Sequence, residues 1–171
     1  MSIGKLKILQ APIVALYQPF LYAKGLRELG HQADYMVFDF SKDKWLSRDC
    51  DIDLKLDGKQ GLQIEKTREI EFFLYAIENY DVFHFHSGFG LLNPMYSIWD
   101  RFSELEFLKK LGKKVVISWW GCDLRTEDVD IVHKYSACNE CEPSIRNGCR
   151  NSTEKKKMIE NRKDILKKML K

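Results

Sequence analysis

Three cysteines lie close together in the segment HKYSACNECEPSIRNGCR. Cys138 and Cys141 are two residues apart, the bite with which one loop offers two thiolates to a single tetrahedral ion. Cys149 follows after Gly148. A closed structural zinc site needs a fourth ligand, and Cys122 and His133 are the candidates; a thiolate-rich set favours Cys122. Three other chemistries compete: ordinary thiols, a disulfide or redox pair, and an iron–sulfur cluster. A thioredoxin-type role would place the C-x-x-C at the start of a helix after a strand, and the polar context with Pro143 argues against that. Cys50 stands apart and reads as a small buried or loop residue. Zinc here would staple a loop too poor in apolar residues to hold itself by packing, leaving no open position for catalysis. Chelation at neutral pH is then expected to accelerate amide exchange over residues 122–150, and unchanged exchange would rule the metal out.

A second group of residues suits a polar ligand. It comprises Gln10-Ala11-Pro12, His84-Phe85-His86-Ser87-Gly88 and Trp119-Trp120-Gly121-Cys122-Asp123-Leu124-Arg125. Each follows a short apolar run of strand character. The candidate binding residues are Gln10, His84, His86, Ser87, Gly88, Trp120, Gly121, Asp123 and Arg125. One of the two histidines is expected to turn outward from its strand end and reach a hydroxyl. The competing role for each is a hydrogen-bonded structural histidine. Asp123 and Arg125 suit hydroxyls or anions, or a local ion pair worth about 1 kcal/mol or less if exposed.

The elements that must position these residues are legible. Leu6 to Leu9 reads as a first strand. Phe20 to Leu29 has helical spacing and stops at Gly30, a C-terminal signal. Ala33 to Phe38 returns as a second strand, which implies parallel strands and a right-handed crossover. Asp39 to Gly61 is polar and irregular, with Ile52, Leu54 and Leu56 alternating as a short edge strand. Glu65 to Asn79 is the next helix, with Ile70, Phe73, Leu74 and Ile77 on one side. Val82 to Phe85 is a strand, and Ile98 to Leu111 is helical up to Gly112. Val115 to Trp119 reads as a central strand covered on both faces. The alternation predicts an open α/β parallel sheet with helices on both faces. Ligands of such sheets lie beyond the carboxyl ends of the strands, where the three polar segments arrive. The first turn, QAPIVALYQPF, lacks G-x-G-x-x-G, which argues against NAD or FAD.

The segments ENYDVFHFHSGFGLL and FLKKLGKKVVISWWGCDLR, with the opening ILQAP and LYAKGLRELGHQADYM, resemble the N-terminal domain of GT-B glycosyltransferases. The family is the large group 1, or family 4, type. The similarity covers roughly residues 5 to 150, and DVFHFH and GCDLR are its most specific parts. The resemblance implies a Rossmann-like domain over residues 1–153, including a Cys-rich loop at 133–150. It implies an acceptor side facing a second domain that binds the nucleotide-sugar donor. That donor domain is not in this sequence, so the chain is expected to be incomplete and inactive alone. Its expected partners are a carbohydrate or glycolipid acceptor and a donor-binding domain or subunit. The family's T-x-H-G-x-D histidine is replaced here by Trp120, which removes the residue that sits near the transferred sugar.

Composition frames these readings. The 171 residues are 44% hydrophobic and 31% charged with a net charge of +3, enough to bury a core and too mild to argue for nucleic acid. Charge is uneven: Lys155 to Lys171 carries eight basic residues against Glu160 and Asp164. Its apolar residues (Met158, Ile159, Ile165, Leu166, Met169, Leu170) form one stripe of a basic amphipathic helix over 154–171. Such a helix packs on its domain with its lysines in water, or touches an anionic membrane surface. The opening MSIGKLKILQAPIV shows no secretory pattern. A cytoplasmic, reducing setting is expected, peripheral at the inner membrane face if the tail binds lipid, and this favours metal over disulfides. No apolar run is long enough to span a bilayer. Two alternatives stand: a non-catalytic module that pairs with a separate donor-binding subunit, and a small zinc-stabilised nucleic-acid binder. The second is weakened because aromatic residues and lysines are not interleaved.

Overall fold

The computed structural model describes residues 4–12, 18–39, 50–86, 90–92 and 103–118, with residues 160 and 167 of the tail. The chain divides into two compact units, Met1–Ser118 and Trp119–Lys171. The first unit contains β1 (Lys7–Ala11), α1 (Gln18–Glu28), β2 (Gln32–Val37), β3 (Ile52–Asp53), α2 (Leu62–Asn79), β4 (Val82–His86), α3 (Ser103–Lys110) and β5 (Lys114–Ser118). All pairings are parallel and the strand order is β3-β2-β1-β4-β5. The expected open parallel α/β sheet flanked by helices is present. In the second unit, Glu160 and Lys167 are helical and exposed. The expected Cys-rich loop and the other residues of the expected tail helix lie outside the described residues.

Two glycines end helices as their positions foretell. Gly30 adopts φ 88 and Gly112 φ 73, the left-handed region that side chains other than glycine avoid. At the first, the Gly30 N–H donates to Arg27 O and the His31 N–H to Leu26 O; at the second, Gly112 bonds Lys109 O and Lys113 bonds Leu108 O. Both are Schellman closures, which satisfy the last carbonyls and turn the chain directly into a strand.

The sheet has two unlike faces. Along the α1 side, Ile8, Ala33, Tyr35, Val37 and Val82 bury against Ala23, with Leu6, Phe20, Leu26 and a half-buried Cys50 around them. Cys50 thus packs as a small core-edge residue. The strand period of two puts Leu9, Met36, Phe83 and Phe85 on the opposite face, each fully buried. Burial of each such side chain contributes about 1.5–3 kcal/mol.

The segments that lead into β1, β3 and β4 are tied to the sheet by charge-assisted bonds. The Asp81 carboxylate accepts the Lys7 N–H at 2.8 Å, and Asp51 accepts the Tyr35 N–H at 2.8 Å while pairing with Arg27. Tyr80 donates its hydroxyl to Asp34 at 2.7 Å.

Two expectations need correction. The strand at 115–119 was expected at the sheet centre, but β5 is an edge among the described strands, with Lys114 exposed and Val116 45% exposed. A run of β-branched residues marks a strand and does not say how many neighbours it has. Helix α2 buries Glu65, Glu69, Phe72, Phe73 and Ala76, whereas Ile70 and Leu74 are exposed. The buried face is rotated by roughly one residue from the apolar stripe, about 100° around the helix. The cause is visible at Glu65, whose buried carboxylate accepts the Gly58 N–H at 2.6 Å. A hydrogen-bonded glutamate inside displaces an isoleucine outside. The other described helix and strand ends fall within a few residues of expectation, while 98–102, expected to open the third helix, lie outside the described residues. For the edge strand, only Ile52–Asp53 pairs as a ladder, while Leu54 and Leu56 continue with single bonds to Val37 O and Phe38 O.

Candidate functional site

The strand order reverses direction between β1 and β4, from which the chain builds outward to β2 and β3 on one side and to β5 on the other. The carboxyl ends of these two strands flank the crevice where doubly wound sheets take ligands. The residues change character along them. On the α1 face, Ile8 gives way to Gln10 in β1, Val82 to His84 and His86 in β4, and Val116 to Ser118 in β5. Gln10 is in register with His84, and His86 with Ser118, so parallel pairing turns all four side chains to one side. The amino half of this face builds core and the carboxyl half carries a polar cluster.

The four polar side chains are linked in two pairs. His86 Nε2 lies 2.9 Å from Gln10 Oε1, and His84 Nε2 lies 2.7 Å from Ser118 Oγ. With the amide oxygen as acceptor, the His86 proton sits on Nε2. The two imidazoles are 4.2 Å apart at their centroids. Tyr22 of α1 covers them: its ring is 5.8 Å from His86 and nearly parallel at 19°, and 5.3 Å from His84. Helix α1 starts above the carboxyl end of β1, so a residue in its first turns meets this site.

Burial sets the protonation. Loss of water pushes His84 down to about 4 and His86 to about 3, the second helped by the neighbouring imidazole. Both rings are neutral at pH 7. Gln10 and His86 are fully buried, whereas His84 and Ser118 are half-buried and Tyr22 is 46% exposed. The inner pair therefore frames the site and the outer three reach solvent. The Gln10 amide nitrogen is buried without a hydrogen-bond partner. An orphaned donor of this kind costs about 1–3 kcal/mol. Its position at the switch point suits a site built for polar company.

The chain leaving β4 is held by a second device. Gly90 packs so closely that a Cβ there would fall 1.5 Å from Glu104 Oε1. Glu104 stands in the first turn of α3, only 2% exposed, and its carboxylate accepts backbone N–H groups from Leu91 and Leu92. Burial pushes its carboxyl up to about 7. Glu65 on α2 does the same for Gly58, so two helices each use a buried first-turn glutamate to anchor the preceding loop.

Of the sequence candidates, the structure brings Gln10, His84 and His86 together. The two histidines share one face, as residues two apart on a strand do, and His84 is the half-buried one of the pair. Ser87, Gly88, Trp120, Gly121, Asp123 and Arg125 lie outside the described residues. So do the metal candidates Cys122, Cys138, Cys141, Cys149 and His133. Among the described residues no group of three or more His, Cys, Asp or Glu could hold a metal ion. No helix among them is long and apolar enough to cross a membrane. Tyr22 and Ser118 are site residues that sequence reasoning missed. Ser118 had a signal, as the polar interruption of VVIS; Tyr22 had only its place early in α1.

The fold and site define a doubly wound α/β domain with an uncharged polar cluster at its switch point. No family model, curated protein or solved structure matches the chain.

Proposed function

We propose that this chain is the acceptor-side domain of a nucleotide-sugar-dependent glycosyltransferase of GT-B type. It works with a donor-binding domain or subunit. The observation that carries the reading is the neutral His84–His86–Gln10–Ser118 cluster at the β1/β4 switch point. Neutral imidazoles, an amide and a hydroxyl offer donors and acceptors at short range without net charge. That chemistry matches a saccharide better than a phosphate, which would call for arginine, lysine or a cluster of free backbone N–H groups. In this reading His84 and Ser118 meet acceptor hydroxyls, and Gln10 and His86 hold the frame. Ser87, Gly88, Trp120, Gly121, Asp123 and Arg125 complete the rim. A zinc ion on Cys122, Cys138, Cys141 and Cys149, with His133 as the alternative fourth ligand, staples the chain beyond β5. The basic tail brings the domain to an anionic membrane surface, where a glycolipid acceptor would be found.

The test is binding of the full chain to an immobilised panel of glycans and lipid-linked saccharides, with UDP-glucose as a donor probe. Glycan binding is expected, weakened at least about fivefold by His84→Ala, the loss of a hydrogen bond worth about 1 kcal/mol or more. UDP-glucose is expected not to bind measurably. Binding of UDP-glucose without any glycan would assign the donor role instead, and binding of neither would sink the proposal.

A further inference from the structure

Tyr22 belongs to none of the segments that the sequence marks for binding, yet it is the most solvent-accessible member of the site. Its ring stacks nearly parallel to the buried imidazole of His86, with centroids 5.8 Å apart, and lies tilted at 48° to His84, with centroids 5.3 Å apart. Nearly half of the residue remains exposed. A tyrosine that served only to fill space would bury its ring against core residues; here α1 meets the core through Ala23, Phe20 and Leu26. The ring instead forms an aromatic surface directly above the switch point, supported from beneath and edged by the half-buried His84–Ser118 pair.

An aromatic face carries negative quadrupole charge and attracts polarised C–H groups. Ligand sites pair such apolar surfaces with a few convergent polar groups that fix orientation. Resting on the saccharide reading above, we infer that Tyr22 is the stacking wall of a pyranose subsite, receiving the C–H face of a neutral sugar ring while His84 and Ser118 address its hydroxyls. The neutrality of both imidazoles fits this ligand class. An uncharged stack gains nothing from an anionic group and costs nothing against a neutral one. The wall also selects a face: the ring docks through the side that presents several C–H groups, not through a side that carries an axial hydroxyl.

The experiment is saturation-transfer NMR on the full chain with the methyl glycosides of glucose, galactose, mannose and N-acetylglucosamine. At least one is expected to bind with its ring C–H protons saturated more strongly than its O-methyl group. Tyr22→Phe, which keeps the aromatic face, is expected to hold the affinity within about twofold, whereas Tyr22→Leu should lower it roughly five- to tenfold. Circular dichroism of both variants verifies that the half-exposed position leaves the fold intact. If a glycoside binds, His84→Ala weakens it and Tyr22→Leu does not, the stacking wall is wrong and the saccharide reading survives. If no glycoside binds the parent chain, both fall together.

Discussion

Glu104→Gln is expected to abolish a stability loss on the order of 3 kcal/mol that the parent chain suffers as pH rises from about 4.5 to about 7. The carboxyl titrates at 4.5 in the unfolded chain and at about 7 in the fold. Between those values the folded state keeps a proton that the unfolded state has released. The stabilisation is therefore complete below about 4.5 and is lost as pH passes through about 7. The cause is burial at the first turn of α3, incompletely offset by the backbone N–H groups of Leu91 and Leu92. Glutamine keeps the shape and an oxygen for those N–H groups but has no proton to lose. Urea unfolding of parent and variant at intervals from pH 4.5 to pH 8 measures the effect. The difference between the two curves should grow in favour of the variant up to about pH 7 and then level off. Parallel curves would mean that Glu104 is solvated in solution and does not hold the Gly90–Leu92 loop as described.

The histidines act on the opposite limb. His84 and His86 are held neutral in the fold, at about 4 and about 3, against an unfolded value of 6.5. Below 6.5 the unfolded chain takes up protons that the folded chain refuses, so their contribution is present above 6.5 and is lost as pH falls toward 4 and 3. The two together contribute on the order of 4 kcal/mol between pH 6.5 and pH 4, with the share of half-buried His84 discounted for solvent. The double variant His84→Gln/His86→Gln is expected to show that much less acid destabilisation than the parent chain, whatever its stability at pH 7. Glutamine still bonds with Gln10 and Ser118 but does not titrate. Unfolding midpoints from pH 7 to pH 4 decide the matter, and equal slopes for parent and variant would show that the imidazoles are protonated in the fold. The same neutrality bears on function, since the cluster keeps its uncharged character across the whole range in which a cell operates.

These groups also show how unevenly the sequence speaks. Gly30 and Gly112 announced the ends of α1 and α3, because only a left-handed residue closes a helix in the way both positions require. The apolar runs announced β1 and β4, because a strand buried in a parallel sheet has no polar face to show, whereas β-branched residues announced β5 without saying that it lies at an edge. The placement of Gln10, His84 and His86 was legible, because a polar residue ending such a run must lie at the carboxyl edge.

What stayed hidden depended on contacts between distant segments. The rotation of α2 follows from Glu65 reaching Gly58, and Glu104 finds its partners in a loop twelve residues back. Hydropathy counts a glutamate as exposed, so a buried, hydrogen-bonded one inverts the expectation. The place of β5 at the sheet edge follows from strand order, which short-range composition does not encode. Tyr22 became part of the site only when α1 was laid across the face that carries His84 and His86.

Taken by itself, the sequence determined the element types, the parallel α/β class and the polar strand ends, since these rest on periodicity, backbone sterics and local chain reversal. Tertiary structure alone decided which helix face was buried, which carboxylates and imidazoles lost their water, and which aromatic ring covered the switch point. Those outcomes rest on desolvation and pairing across long sequence separations, and no local window contains both partners.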